Sequence, residues 1–190
     1  MTLKDHILAR IATDGPMRLD EYMTTCLLHP TLGYYTSGQP FGREGDFITA
    51  PEISQMFGEL IGLALAQSWL DQGTPAPFTL AELGPGRGTL LQDALRACAR
   101  VPGLVEAAEI VLVEASPALK AQQAQALKGF EPGWVADVEA LPDQPLFLIA
   151  NEFFDALPIR QFLRDGEGWR ERQVGAEDGT LIFGLSPAQP

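Results

Sequence analysis

Leu80-Ala81-Glu82-Leu83-Gly84-Pro85-Gly86-Arg87-Gly88-Thr89-Leu90-Leu91 is the stretch on which the reading of this chain turns. Its apolar start reads as the end of a short strand and its end as the opening of a helix. Gly84, Gly86 and Gly88 therefore lie in a strand-to-helix turn. Glycines there permit tight dihedrals and let a ligand approach backbone N–H groups at a helix start. A dinucleotide fingerprint is spaced G-x-G-x-x-G, but position 89 is Thr. The pattern is E-x-G-x-G-x-G, with an acid two residues before the first glycine.

That spacing fits S-adenosylmethionine, which has no pyrophosphate to cradle and carries an ammonium at its amino-acid end. Glu82 can accept hydrogen bonds from that ammonium, directly or through water. A glycine-rich turn without any ligand is the competing reading, and three further positions weigh against it. Glu114 ends the next strand, where a carboxylate can bind both ribose hydroxyls. Asp137 ends a third strand, Trp134 to Val138, where it can accept from the adenine amino group or remain a solvated acid. Asn151-Glu152 ends a fourth strand, Leu146 to Ala150, beside the cleft where the donor methyl should point.

Outward from this region, strands at Phe78 to Leu83, Ile110 to Glu114, Trp134 to Val138 and Leu146 to Ala150 alternate with helices at Leu90 to Arg100 and Pro117 to Leu127. Such alternation is the signature of a parallel sheet with right-handed crossovers. The preceding residues read as helical. Leu3, Ile7, Leu8 and Ile11 share a face that ends at Gly15-Pro16. Leu19, Tyr22, Met23, Cys26 and Leu27 form a second stripe, stopped by Pro30. A longer helix carries Ile53, Phe57, Leu60, Ile61, Ala64, Leu65 and Trp69. Beyond the sheet, Ile159 to Leu163, Trp169 to Val174 and Thr180 to Leu185 are separated by Asp165-Gly166 and Asp178-Gly179. That tail is expected to be an antiparallel meander.

The 190 residues carry a formal charge of -12, with 46% hydrophobic and 20% charged residues. A protein that gains affinity by neutralising phosphates needs the opposite balance, so nucleic acid is not the expected partner. Acidity suits a cationic substrate better. No apolar run approaches the ~20 residues of a membrane span. The start, Met1 to His6, has neither the order of a secretion signal nor the character of a presequence, so a bacterial-type cytoplasmic setting is expected. Cys26 and Cys98 read as buried thiols. His6 reads as a surface residue and His29 as a helix cap, too far apart in sequence for a metal site.

With these residues in hand, the sequence resembles the MidA-like family, which includes the arginine methyltransferase that assists assembly of mitochondrial respiratory complex I. The matching motifs are His29-Pro30 with Gly33-Tyr34-Tyr35, Gly45 to Ser54, Phe57-Gly58-Glu59, Glu82 to Leu90, Val113-Glu114, and Asn151-Glu152-Phe153-Phe154-Asp155-Ala156-Leu157-Pro158. The resemblance implies an α/β fold: the N-terminal half of a class I methyltransferase Rossmann-like parallel sheet, with a helical N-terminal extension against the donor site. The divisions expected are an extension over 1–77, a donor-binding core over 78–158 and a β meander over 159–190. Family members are longer, and this chain is expected to lack the second half of the sheet.

The same resemblance implies a protein substrate, a respiratory complex I subunit among the candidates, and S-adenosylmethionine as methyl donor. If the acceptor is arginine, its guanidinium arrives cationic and poorly nucleophilic. Carboxylates near the methyl can grip it bidentately and polarise it towards one nitrogen. Glu152 and Asp155, on the loop leaving the fourth strand, are the candidates, and on one helical turn they could share a side. Phe153 and Phe154 read as core before cation-stacking groups. Thr49-Ala50-Pro51-Glu52 reads as a capping box with proline in the first turn. That leaves Gly45-Asp46 unexplained, and the resemblance places Asp46 over the donor pocket as a ligand. Two other functions stay open: methylation of a small molecule or another protein side chain, and a non-catalytic assembly module keeping the donor fold.

Overall fold

The computed structural model describes residues 1–34, 49–166 and 168–189. In chain order its elements begin with helix α1 (Leu3–Asp14), strand β1 (Met17–Arg18) and helix α2 (Leu19–Leu28). Helices α3 (Ala50–Ile53) and α4 (Gln55–Asp71) precede strand β2 (Phe78–Leu83) and helix α5 (Thr89–Cys98). Helix α6 (Leu104–Ala107), strand β3 (Ala108–Val113), helix α7 (Pro117–Ala126), strand β4 (Gly133–Val135) and strand β5 (Leu146–Ala150) complete the alternating region. Strands β6 (Phe162–Asp165), β7 (Gly168–Glu177) and β8 (Thr180–Leu185) follow. The chain divides into two compact units, Met1–Pro40 with Ala156–Pro190, and Phe41–Asp155.

In the unit Phe41–Asp155, four parallel strands lie in the order β4-β3-β2-β5. The chain runs from β2 outward to β3 and β4, then returns to the other side of β2 as β5. The strand order therefore reverses beside β2, and ligands of open α/β sheets bind outside the carboxyl ends at such a reversal. All six residues of β2 are buried, as expected of a central strand covered on both faces. Leu80, Leu112, Leu91, Leu95, Cys98 and Leu127 pack together there. Each such leucine contributes about 1.5–3 kcal/mol relative to an exposed one. Helix α4 meets α5 closely because Gly58 and Gly62 lack side chains: a Cβ at Gly62 would lie 2.3 Å from the Ala94 carbonyl oxygen. On β5, Phe147 and Ile149 face this core, while Leu146 and Leu148 are exposed.

The other unit is built on β7. It pairs antiparallel with β6, β8 and the two-residue β1, in the register Met17↔Val174 and Arg18↔Gln173. Ile7, Ile11, Met17 and Val174 form its small core. The meander matches the turn signals of the tail, whereas the strand at Met17–Arg18 has no counterpart in the sequence pattern.

Three local expectations are corrected. The helical stripe starting at Ile53 is broken at Ser54, which is extended and caps α4 by accepting from the Met56 N–H at 3.3 Å. The third strand stops at Val135, because Asp137 accepts from the Glu139 and Ala140 N–H groups and starts a 3-10 turn, Val138–Ala140. His6, read as a surface residue, is half-buried with its ring centroid 4.9 Å from that of His29, which does cap α2 as expected, its Nδ1 accepting from the Leu32 N–H at 3.2 Å. Among the described residues, no helix is long and apolar enough to cross a membrane.

Candidate functional site

The parallel register brings the candidate residues to one end of the sheet. Leu83 pairs with Val113 on one side and with Ala150 on the other, and Val113 pairs with Val135. The residues immediately after that row are Gly84, Glu114, Asn151 and Ala136. Residues far apart in sequence thus leave the sheet at one level. This follows from strand register alone and owes nothing to any ligand.

The glycine turn has the dihedrals its composition allows. Gly84, Gly86 and Gly88 have φ of 60°, 52° and 84°, a region where a side chain is strained. A Cβ at Gly84 would also meet the Phe153 ring, whose Cδ2 would be 2.6 Å away. The aromatic ring of the loop after β5 therefore lies against the first glycine of the turn. It is neither a core residue nor an isolated surface group, contrary to the reading of Phe153 and Phe154 as core. Phe154 is 63% exposed.

Glu82 is buried to 3% exposure, and its Oε2 has no hydrogen-bond partner among the described residues. Burial pushes its carboxyl up to about 8, against a lowering contribution from the Leu91 N–H. Leu91 lies in the first turn of α5, so this acid sits at a helix N-terminus with one oxygen unsatisfied. Such a group is costly to bury and marks a place for a polar partner. A cationic ammonium suits it well, since an opposite charge nearby favours the ionised form.

Glu114 is held on both oxygens. Oε1 accepts from the Ser116 N–H at 2.7 Å and Oε2 from Gln123 Nε2 at 3.2 Å. A carboxylate offers about four lone-pair sites, so capacity remains for hydroxyl donors. Gln123 is fully buried; its Nε2 also donates to the Gly86 carbonyl at 2.8 Å, and its Oε1 accepts from Trp134 Nε1 at 2.8 Å. Nothing in the local sequence pattern marks Gln123, because its partners lie on three other segments.

Glu52 is a second residue whose role the sequence pattern conceals. The capping-box expectation fails, since Thr49 makes no side-chain cap. The Glu52 carboxylate turns instead to the glycine turn, accepting from Thr89 Oγ1 at 2.7 Å and lying 3.6 Å from Arg87 Nη1. A charge-assisted bond of that kind is stronger than a contact between neutral groups.

Of the remaining candidates, Asn151 is half-buried and Asp137 is exposed beside its own 3-10 turn. Glu152 is exposed with φ of 48°, left-handed for a residue with a side chain. It precedes, rather than joins, the 3-10 turn Phe154–Ala156 that contains Asp155. Asp46 lies outside the described residues. No cluster of three or more metal-ligating side chains occurs among the described residues.

Comparison with known proteins agrees with this geometry. A family model described as "Putative S-adenosyl-L-methionine-dependent methyltransferase" matches residues 60–190. Mitochondrial proteins named protein arginine methyltransferase NDUFAF7 are similar: that of Xenopus tropicalis is 38% identical over 97% of this chain and 49% of its own length. That of Bos taurus is 39% identical over 96% of this chain and 47% of its own length. The chain thus spans about half the length of the curated relatives it matches. A solved structure of a COG1565 superfamily member from Burkholderia thailandensis, bound to S-adenosyl-homocysteine, superimposes with a TM-score of 0.74 at 31% identity. The match covers 97% of this chain and 49% of that one. On a match that takes in well over half of its residues, the chain belongs to this family of S-adenosyl-L-methionine-dependent methyltransferases.

Proposed function

We propose that this chain binds S-adenosylmethionine at the carboxyl ends of β2 and β3, and that the protein it represents methylates arginine in a protein substrate. The observation that carries the donor site is the buried Glu82 Oε2, without a hydrogen-bond partner among the described residues, beside the three left-handed glycines. Glu82 would hold the ammonium, the Gly84–Gly88 turn would admit the amino-acid end, and Glu114 would take the ribose hydroxyls. Asp137 would face the adenine, with Asn151 closing the end nearest β5 and Asp46 as a further ligand. When bound, the donor supplies a methyl group activated by its sulfonium.

The chain's own task is positioning, since in-line displacement depends on holding two groups at one distance and angle. Glu152 and Asp155 are proposed to grip a guanidinium and bias its charge away from the attacking nitrogen. The backbone at Glu152 stores strain of about 1–3 kcal/mol, which persists where surrounding structure enforces it and is common at active sites. A respiratory complex I subunit as acceptor, and the cytoplasmic setting, belong to the same proposal; the names of the relatives support arginine as the side chain.

The test is methyl transfer from labelled donor to an arginine-containing subunit, using a longer relative with the same Asn-Glu-Phe-Phe-Asp motif. Glu152→Gln and Asp155→Asn keep shape and remove charge. Turnover should fall ~30- to 1000-fold with donor affinity nearly unchanged. Unchanged turnover in both would remove these carboxylates from the mechanism, and equal losses of binding and turnover would reassign them to the donor.

A further inference from the structure

We propose that Gln123 orients Glu114 and is thereby a positioning residue for ribose recognition, an inference that rests on the donor-site reading above. Within α7, Gln123 is the buried residue, at 0% exposure. A glutamine is rarely buried so completely, and burial is tolerated only when its amide is satisfied. Here it is: two bonds are donated, to Gly86 and Glu114, and one is accepted, from Trp134.

Those partners also fix which way the amide points. The indole of Trp134 can only donate, so it must face Oε1. The two N–H groups are then left for the Gly86 carbonyl and the Glu114 carboxylate, both acceptors. One side chain therefore ties the proposed ribose acid, 9 residues before it, to the glycine turn, 37 residues before it. With the Ser116 N–H on the other oxygen, Glu114 is restrained at both ends of its carboxylate. An interior position that needed only filling would favour an apolar side chain, since an amide must be desolvated first.

The experiment is calorimetry on this chain with S-adenosylhomocysteine and its 2′-deoxy and 3′-deoxy analogues. The unmodified chain should prefer the intact ribose by about 10- to 100-fold, the range for hydrogen bonds to a charged group. Gln123→Leu should reduce that preference to near unity, as should Glu114→Gln. Should the leucine variant fail to fold, Gln123→Met decides: it is nearly isosteric, buries no charge, and loses the donor to Glu114. Gln92→Leu is the control, because Gln92 ties the same helix through the Ala126 carbonyl at 2.6 Å without touching Glu114. That variant should keep the preference even if it is less stable. Full ribose preference in a folded Gln123 variant would overturn the assignment alone. No binding of S-adenosylhomocysteine by the unmodified chain would overturn the donor-site reading, and the assignment with it.

Discussion

The Glu52 carboxylate accepts a 2.7 Å hydrogen bond from the Thr89 hydroxyl, joining a one-turn helix before α4 to the first residue of α5. The contact spans 37 residues and is largely shielded, with the Glu52 side chain 18% exposed. The Arg87 partner is half-exposed at 3.6 Å and adds little. Glu52→Ala should therefore lower stability by about 1.5–3 kcal/mol, the range for a bond to a charged group. Thr89→Val should lose a similar amount, and the double variant little more than either alone. Urea unfolding of the three chains measures this coupling; simple additivity would return Glu52 to a local helix-start role.

Gly84 and Phe153 make a second coupled pair. Gly84→Ala must both occupy a φ of 60° and displace the ring of Phe153. The expected loss is about 2–4 kcal/mol, combining backbone strain and overpacking. Phe153→Ala in the same chain should recover the steric part and leave the strain. The cycle is read from thermal or urea unfolding, and a double variant as unstable as the sum of the singles would place the ring elsewhere.

Glu82 should give the chain an unusual pH dependence. Its folded value is raised to about 8, from 4.5, by burial. The folded state therefore keeps a proton that the unfolded chain has already released. Stability from this group is present below about pH 4.5, falls as pH rises towards about 8, and is level above that. Across that window the loss amounts to several kcal/mol, at about 1.4 kcal/mol for each pH step of one. Glu82→Gln should remove this slope, making the ligand-free chain more stable than the parent at about pH 8.5 while abolishing donor binding. Unfolding at about pH 5, 7 and 8.5 measures it, and parallel profiles for the two chains would contradict a buried, protonated Glu82.

The legible parts of this protein are those whose signal is local or periodic. Period and turn residues mark the four parallel strands and the meander, and the glycine spacing marks the turn at 84–88. Register then aligns Gly84, Glu114 and Asn151 without further assumptions. What stays hidden depends on partners far along the chain. Gln123 looks like any polar residue in a polar helix until Trp134, Glu114 and Gly86 surround it. Glu52 satisfies a capping pattern, and only the fold offers it the Thr89 hydroxyl. Met17–Arg18 is too short to read as a strand until β7 lies beside it. Asp137 looks like a strand end because its side chain's competition for the Glu139 and Ala140 N–H groups cannot be seen in an apolar pattern.

Whether S-adenosylmethionine occupies the end of the sheet where Glu82 and Glu114 lie is decided by calorimetry. This chain is titrated with S-adenosylhomocysteine, beside Glu114→Ala and beside NADH. Saturable one-to-one binding is expected, weakened in Glu114→Ala by about 1.5–3 kcal/mol, or roughly 10- to 150-fold, with no comparable response to NADH. Tight binding of NADH with no response to S-adenosylhomocysteine would show that the site belongs to another nucleotide.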